Sequence, residues 1–156
     1  MRSALQIETH SSADTRALGR YLTESLPRVG VVLLIGELGA GKTTLVKGIV
    51  EGLGVADADD VSSPTYTIIH QYGDPVRVYH IDLYRLETAK EVRRLGLEDL
   101  FDEPALVLIE WGERFRELIP EDPIEIRLTH QGDDCRKIEI TGLNTSLAGF
   151  SAEMHR

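Results

Sequence analysis

The sequence predicts an α/β fold in three layers, with helices on both faces of a mostly parallel central sheet and antiparallel hairpins added to it. Two apolar runs, residues 31–35 and 105–109, have the continuous hydrophobicity of parallel strands that are buried on both faces. The first run is followed by a glycine-rich loop and then by apolar residues at helical spacing. A strand, a loop and a helix in this order form the recurring unit of such sheets.

Turn residues and periodicity place the elements along the chain. Ser11 begins an N-cap signal for a helix that ends at Pro27, and Gly54 ends the helix after the glycine loop. The predicted strands are residues 5–8, 31–35, 65–72, 76–83, 105–109, 124–130 and 135–141. Short helices are predicted at residues 88–95, 97–101 and 112–118. Turns at residues 73–75 and 131–134 predict two hairpins.

Length and composition indicate a single cytoplasmic domain. A chain of 156 residues is most simply one domain, which we place at residues 1–141, with a C-terminal tail at residues 142–156 that is expected to fray. No apolar run approaches the roughly 20 residues of a membrane span, and no signal peptide is expected. Cys135 is the only cysteine, which excludes an internal disulfide and a multi-cysteine zinc site.

The net charge of −9 is unevenly distributed. Residues 1–50 contain six basic and four acidic residues, whereas residues 51–156 contain eleven basic and twenty-two acidic residues. A negative surface repels phosphate backbones, so we expect any nucleic acid in the biology of this chain to be held by a partner. The simpler interpretation is that the acidity only confers solubility.

Residues 36–43 read G-E-L-G-A-G-K-T and match the phosphate-loop pattern G-x-x-x-x-G-K-[ST] at every fixed position. In this pattern backbone N–H groups and a helix N-terminus converge on a phosphate. Lys42 is predicted to reach the β- and γ-phosphates, and the Thr43 hydroxyl is a ligand for Mg²⁺. The alternative is an ordinary glycine turn before a buried helix. We interpret the segment as a nucleoside-triphosphate site and the fold as P-loop NTPase-like.

Two carboxylates end predicted strands and are candidates for the metal shell. Glu110 ends the strand expected beside the strand of the phosphate loop, where it is positioned to hold Mg²⁺ through water or to orient the attacking water. Alternation places His80 and Asp82 on one strand face, which makes Asp82 the second candidate. The simpler interpretations are a helix cap for Glu110 and a solvated sheet face for Asp82. Trp111 either lines the site or only packs against neighbouring residues.

Residues 62–67, S-S-P-T-Y-T, form a third candidate segment. Its hydroxyl groups suit a loop that senses the γ-phosphate and rearranges on hydrolysis. The alternative is a turn that leads into a strand.

Five segments together resemble the TsaE family, the bacterial ATPase of tRNA threonylcarbamoyladenosine biosynthesis. They are G-E-L-G-A-G-K-T-T-L, S-P-T-Y-T, H-I-D-L-Y-R-L, L-G-L-E-D-L and L-I-E-W-G-E, within about residues 5–141. The resemblance implies a three-layer P-loop fold and slow hydrolysis of ATP with Mg²⁺. It also implies docking onto the TsaD–TsaB pair, which transfers threonylcarbamoyl to the tRNA adenosine beside the anticodon, so that tRNA is contacted only through these partners.

The resemblance also implies roles for individual residues. The catalytic group is Lys42, Asp82 and Glu110, and the Mg²⁺ shell includes Thr43 and Glu110. Ser12 and Arg136 are the candidates for the adenine pocket. The full set implied to bind the nucleotide is Ser12, Glu37, Leu38, Gly39, Ala40, Gly41, Lys42, Thr43, Thr44 and Arg136.

Two other functions share the phosphate loop. A small-molecule or nucleoside kinase usually adds an arginine-bearing lid, for which Arg85, Arg93 and Arg94 are available, although we expect these side chains to be solvated. A GTPase-type switch needs an N-K-x-D motif to read guanine. That motif is excluded because the only asparagine, Asn144, is followed by Thr-Ser.

Overall fold

In the computed structural model, two helices cover one face of a mixed sheet, and shorter helices cover the other face. The structure describes residues 4–57, 61, 69–73 and 77–143. The strands are β1 Ala4–Thr9, β2 Gly30–Ile35, β3 Ile69–Tyr72, β4 Arg77–Asp82, β5 Ala105–Glu110, β6 Ile124–His130 and β7 Arg136–Thr141. The helices are α1 Ser12–Leu22, α2 Lys42–Leu53, α3 Ala89–Arg93 and α4 Leu97–Phe101, with a 3₁₀ helix at Gly112–Leu118.

The described strands form one sheet in the order β1-β7-β6-β2-β5-β4-β3. The four central strands, β6, β2, β5 and β4, are parallel to one another, whereas β3 and β7 pair antiparallel with their neighbours. This arrangement confirms the predicted mostly parallel sheet with hairpin additions. Because β2, β5 and β4 run in the same direction, their carboxyl ends meet at one edge of the sheet, which is where ligands bind in open α/β folds.

Each face of the sheet has its own hydrophobic core, which confirms the three layers. Leu106 and Leu108 of β5 pack into the cluster that contains the inner residues of α1 and α2. Val107 and Ile109 of the same strand pack into the second cluster, with residues of α3, α4 and the 3₁₀ helix. Strand β5 is therefore buried on both faces, as its continuous apolar run predicted.

Helices α1 and α2 pack closely enough to require a glycine at their contact. A Cβ atom added to Gly48 of α2 would lie 2.0 Å from the backbone oxygen of Arg16 in α1. Arg16 and Arg20 of α1 also bind opposite oxygens of Glu51, at 2.5 and 2.8 Å. The phosphate-loop helix is thus fixed against a second helix along its length.

Some element boundaries differ from those predicted. Helix α1 ends at Leu22 rather than continuing to Pro27, because Thr23 closes the last turn with a hydrogen bond from its hydroxyl to the Arg20 oxygen, at 2.7 Å. Residues 112–118 form a 3₁₀ helix with non-helical backbone at Phe115. The candidate switch segment at residues 62–67, the turn residues 74 and 75, and most of the predicted tail (residues 144–156) lie outside the described residues.

Among residues 4–57, 61, 69–73 and 77–143, none of the helices has the length and hydrophobicity of a membrane-spanning segment.

Candidate functional site at the carboxyl edge of the sheet

The glycine loop connects β2 to α2 with its backbone exposed for ligand contacts. Gly41 is the N-cap of α2, with φ 104° and ψ 13°, and no side chain caps the first turn. An L-residue is strained in this left-handed conformation, which explains the glycine. The N–H groups of the first turn have no intrahelical acceptor, and together with the helix dipole they favour an anion at this position.

A cavity of about 290 Å³ lies in front of this loop. It brings together residues from the loop, from the ends of β4 and β5, and from the start of β7. The lining residues are Leu38, Gly39, Gly41, Lys42, Thr43, Thr44, Asp82, Glu110, Trp111 and Arg136. The three residues predicted to be catalytic therefore share one cavity with Thr43.

Lys42 is 4% exposed, and its ammonium group has few partners. The Nζ atom donates a hydrogen bond to the Gly36 oxygen, at 2.6 Å, and lies 3.9 Å from the centre of the Trp111 ring. Burial lowers the pKa of Lys42, although nearby carboxylates, the largest contribution being that of Glu110, oppose the shift. Phosphate oxygens would supply the buried ammonium with further hydrogen-bond acceptors and with negative charge that offsets its burial.

Glu110 is buried at the end of β5 and is bound to a histidine. Its Oε2 atom lies 2.5 Å from Nε2 of His80, and the two side chains are 4% and 0% exposed. The N-cap of the following 3₁₀ helix is Trp111, and it has no side-chain cap, so Glu110 does not serve as the helix cap considered above. His80 is fully buried, so the interpretation of this strand face as solvated is wrong at that position.

Asp82 lies beside Glu110, because the two residues pair in register between β4 and β5. Its Oδ1 atom accepts a hydrogen bond from the Tyr84 N–H, at 2.9 Å. Burial is the main cause that raises the pKa of Asp82, and the charge of Glu110 raises it further, while the Tyr84 N–H and the cation of Lys42 oppose the shift. Two neighbouring carboxylates at one cavity favour a cation between them and the loop.

Trp111 lines this cavity rather than only packing in the core. It has a φ of 66°, a left-handed backbone conformation that costs energy for a bulky residue and often marks functional sites. Its ring contacts the Lys42 ammonium, and the ring centres of Trp111 and Tyr84 are 5.1 Å apart. Trp111 also lines a second cavity of about 340 Å³, which lies beside the first.

Arg114 is a residue of this region that the sequence reasoning missed. Its Nη2 atom donates to the backbone oxygens of Leu83, Tyr84 and Leu86, and thereby fixes the segment that follows Asp82. These contacts join residues about thirty positions apart, so no local sequence pattern indicates them.

The remaining predicted residues differ in their placement. Arg136 lines the first cavity, and its guanidinium donates to the loop oxygens of Ala40, at 2.9 Å, and Gly39, at 3.3 Å. Ser12 is exposed at the start of α1 and lines neither of the two cavities. Glu37 lines the second cavity, whereas Ala40 is 1% exposed and lines neither.

The sequence of this chain is similar to a protein-family model and to individual proteins of that family. The sequence model of "Threonylcarbamoyl adenosine biosynthesis protein TsaE" matches residues 9–138. The tRNA threonylcarbamoyladenosine biosynthesis protein TsaE of Bacillus subtilis is 38% identical over 97% of this chain and 94% of its own length. The TsaE protein of a Nostoc species is 41% identical over 89% of this chain and 86% of its own length.

A solved structure agrees with these sequence matches. The crystal structure of Bacillus subtilis YdiB superimposes with a TM-score of 0.74 and 32% sequence identity, and covers 92% of this chain and 88% of its own. The fold, the order of the motifs and the sequence relatives lead to the same conclusion: this chain belongs to the TsaE family of tRNA threonylcarbamoyladenosine biosynthesis proteins.

Proposed function

We propose that this chain binds ATP with Mg²⁺ and hydrolyses it slowly, and that hydrolysis serves the threonylcarbamoyl modification of the tRNA adenosine beside the anticodon. The observation that carries the proposal is the single cavity that Lys42, Thr43, Asp82 and Glu110 share. A phosphate loop alone is compatible with many ligands. A phosphate loop beside two carboxylates from adjacent parallel strands is the arrangement that positions a triphosphate, a metal ion and an attacking water.

The donor set of the cavity fits Mg²⁺. Thr43, Asp82 and Glu110 supply hydroxyl and carboxylate oxygens, which are the ligands that this ion prefers. No group of three or more His, Cys, Asp or Glu residues suited to a metal occurs among the described residues. Mg²⁺ is usually bound through one or two carboxylates together with substrate phosphates and water. When bound, Mg²⁺ would neutralise charge on the phosphate oxygens.

The residues of the chain divide the work of binding and turnover. The α2 N-terminus and Lys42 bind the phosphates, because both offer N–H donors and positive charge at the cavity. Glu110 and Asp82 orient the attacking water, and one of the two accepts its proton, since both carboxylates line the cavity of the phosphate loop. Arg136 holds the loop by its bonds to two loop oxygens.

Binding is tested by calorimetric titration of the purified chain with ATP, with and without Mg²⁺. We expect saturable binding that Mg²⁺ strengthens, accompanied by release of inorganic phosphate over many turnovers. In Thr43→Ala, the dependence of binding on Mg²⁺ should decrease, because one metal oxygen ligand is removed. Absence of ATP binding by the parental chain would contradict the proposal.

The partners are proposed to be the TsaD–TsaB pair, with tRNA contacted only through them. Residues 51–156 carry eleven basic against twenty-two acidic residues, so the isolated chain should bind tRNA negligibly at physiological salt, where like-charge repulsion is only partly screened. Filter binding with labelled tRNA measures this directly. Tight binding by the isolated chain, with the strong salt dependence of phosphate contacts, would overturn the indirect role of tRNA.

Nothing in the part of the chain that the structure describes favours the kinase alternative. Arg85, Arg93 and Arg94 are exposed and do not line the cavity of the phosphate loop. Incubation of the chain with γ-labelled ATP and a small-metabolite acceptor separates the two functions, because a kinase transfers the labelled phosphate to the acceptor, whereas an ATPase releases it as inorganic phosphate.

A further inference from the structure

His80 is a fully buried imidazole whose hydrogen bond goes to a proposed catalytic carboxylate. The ring Nε2 lies 2.5 Å from Oε2 of Glu110. The other ring nitrogen, Nδ1, is buried and has no hydrogen-bond partner among the described residues. Burying a polar ring with only one of its two nitrogens hydrogen-bonded costs desolvation free energy. An apolar residue at this position of the sheet would avoid that cost.

The different surroundings of the two ring nitrogens favour one tautomer of His80. A neutral imidazole carries its proton on one nitrogen and a lone pair on the other. A proton on Nδ1 would be a buried N–H without an acceptor, whereas a proton on Nε2 is donated to the Glu110 carboxylate. The arrangement therefore favours the Nε2–H form, with His80 as donor and Glu110 as acceptor.

Strand register holds the pair together. His80 is opposite Leu108 and Asp82 is opposite Glu110 in the parallel pairing of β4 with β5, so His80 and Glu110 project from the same sheet face. Both side chains are enclosed by the core on the α1–α2 side. The hydrogen bond uses Oε2 alone, and Glu110 also lines the cavity of the phosphate loop.

We propose that His80 is a positioning residue: its Nε2–H holds Oε2 of Glu110 and thereby presents Oε1 to the cavity in one orientation. Without this bond the carboxylate can turn, because the last torsion of a glutamate side chain is broad. Groups that act on a reacting atom depend on such supporting hydrogen bonds for their orientation. This inference rests on the proposed ATP hydrolysis, in which Glu110 is a catalytic residue.

Two substitutions separate the hydrogen bond from the volume of the ring. His80→Leu replaces the ring by a branched apolar side chain and removes the N–H donor. His80→Gln keeps an N–H donor of similar reach. We expect His80→Leu to lower kcat about 10- to 100-fold, the usual range for a lost supporting bond, while the Kd for ATP changes by less than about threefold. His80→Gln should retain most of the parental kcat.

A double-mutant cycle with Glu110→Gln tests whether His80 acts through Glu110. In the Glu110→Gln background, His80→Leu should cause no further fall in kcat, since the carboxylate that it orients is already absent. A histidine that only stabilises the fold would reduce kcat by the same factor in both backgrounds, and that result would overturn the inference. Thermal melting of each variant checks that it is folded.

Nitrogen NMR of the histidine-labelled chain without nucleotide gives a second readout that does not depend on activity. We expect the Nε2–H tautomer for His80 in the parental chain, and a changed Nε2 signal in Glu110→Gln. An Nδ1–H tautomer would overturn the inference.

The outcomes also separate this inference from the function on which it rests. If the parental chain does not hydrolyse ATP, the proposed function fails and the role of His80 fails with it. If the parental chain hydrolyses ATP and folded His80→Leu keeps the parental kcat, only the role of His80 fails.

Discussion

Lys42→Ala is expected to weaken ATP binding about 10- to 100-fold, on the scale of a lost charge-assisted hydrogen bond. The Lys42 ammonium lies in the cavity of the phosphate loop with the Gly36 oxygen and the Trp111 ring as its near contacts. Because burial lowers its pKa, the charged form is held there at an energetic cost, which bound phosphate would offset. Calorimetric titration with Mg²⁺·ATP measures the change in Kd.

Lys47→Ala is the matched control for this experiment. Lys47 lies on the same helix but does not line the cavity, so its loss of charge should leave the Kd close to that of the parental chain. Equal affinity for ATP in the Lys42→Ala variant and the parental chain would contradict the assignment of residues 36–43 as a phosphate-binding loop.

Glu110→Gln and Asp82→Asn are expected to lower ATP hydrolysis by at least about tenfold while ATP binding is retained. Both substitutions keep the shape of the side chain and remove the negative charge that positions water and metal. The effect should be larger for Glu110, which is buried and bound to His80, than for Asp82, which is half-buried and holds the Tyr84 N–H. Phosphate release under saturating Mg²⁺·ATP gives kcat for each variant.

Glu121→Gln is a suitable control for the acidic pair, because Glu121 is exposed and lies outside the cavity of the phosphate loop. Parental hydrolysis rates in both Glu110→Gln and Asp82→Asn would show that the two carboxylates are structural.

The features that the sequence predicted well are those encoded over short distances. The apolar run of β5 indicated a strand buried on both faces, and the glycine loop followed by Lys42 indicated the beginning of α2. The edge strand near residues 5–8 and the hairpin between β6 and β7 follow from alternation and from turn residues, and both are present.

The features that the sequence did not predict depend on contacts between distant segments. The burial of His80 against Glu110 follows from the register of β4 with β5, which alternation along one strand does not reveal. The hydrogen bonds of Arg136 to the phosphate loop depend on how β7 meets that loop across the sheet edge. The end of α1 before Pro27 depends on a local contact. The Thr23 hydroxyl donates to the Arg20 oxygen, and this bond competes with the backbone hydrogen bonds that would continue the helix.

Ser12 is a predicted adenine contact that does not line the cavity of the phosphate loop. It was predicted to contact adenine, and the structure places it exposed at the start of α1, outside both cavities. Its role in nucleotide binding stays a prediction. Ser12→Ala is informative for that reason, as the N-cap hydrogen bond of α1 comes from Ser11 and would be preserved.

The number of tRNA molecules modified per TsaD–TsaB pair in a reconstituted reaction measures whether ATP hydrolysis by this chain serves tRNA modification. With the parental chain and Mg²⁺·ATP present, we expect many modified tRNA molecules per pair and an increased rate of ATP hydrolysis. With Lys42→Ala, modification should stop after about one round, since binding of ATP at the phosphate loop is impaired. Equal numbers of modified tRNA with the parental chain, with Lys42→Ala and without this chain would contradict the account.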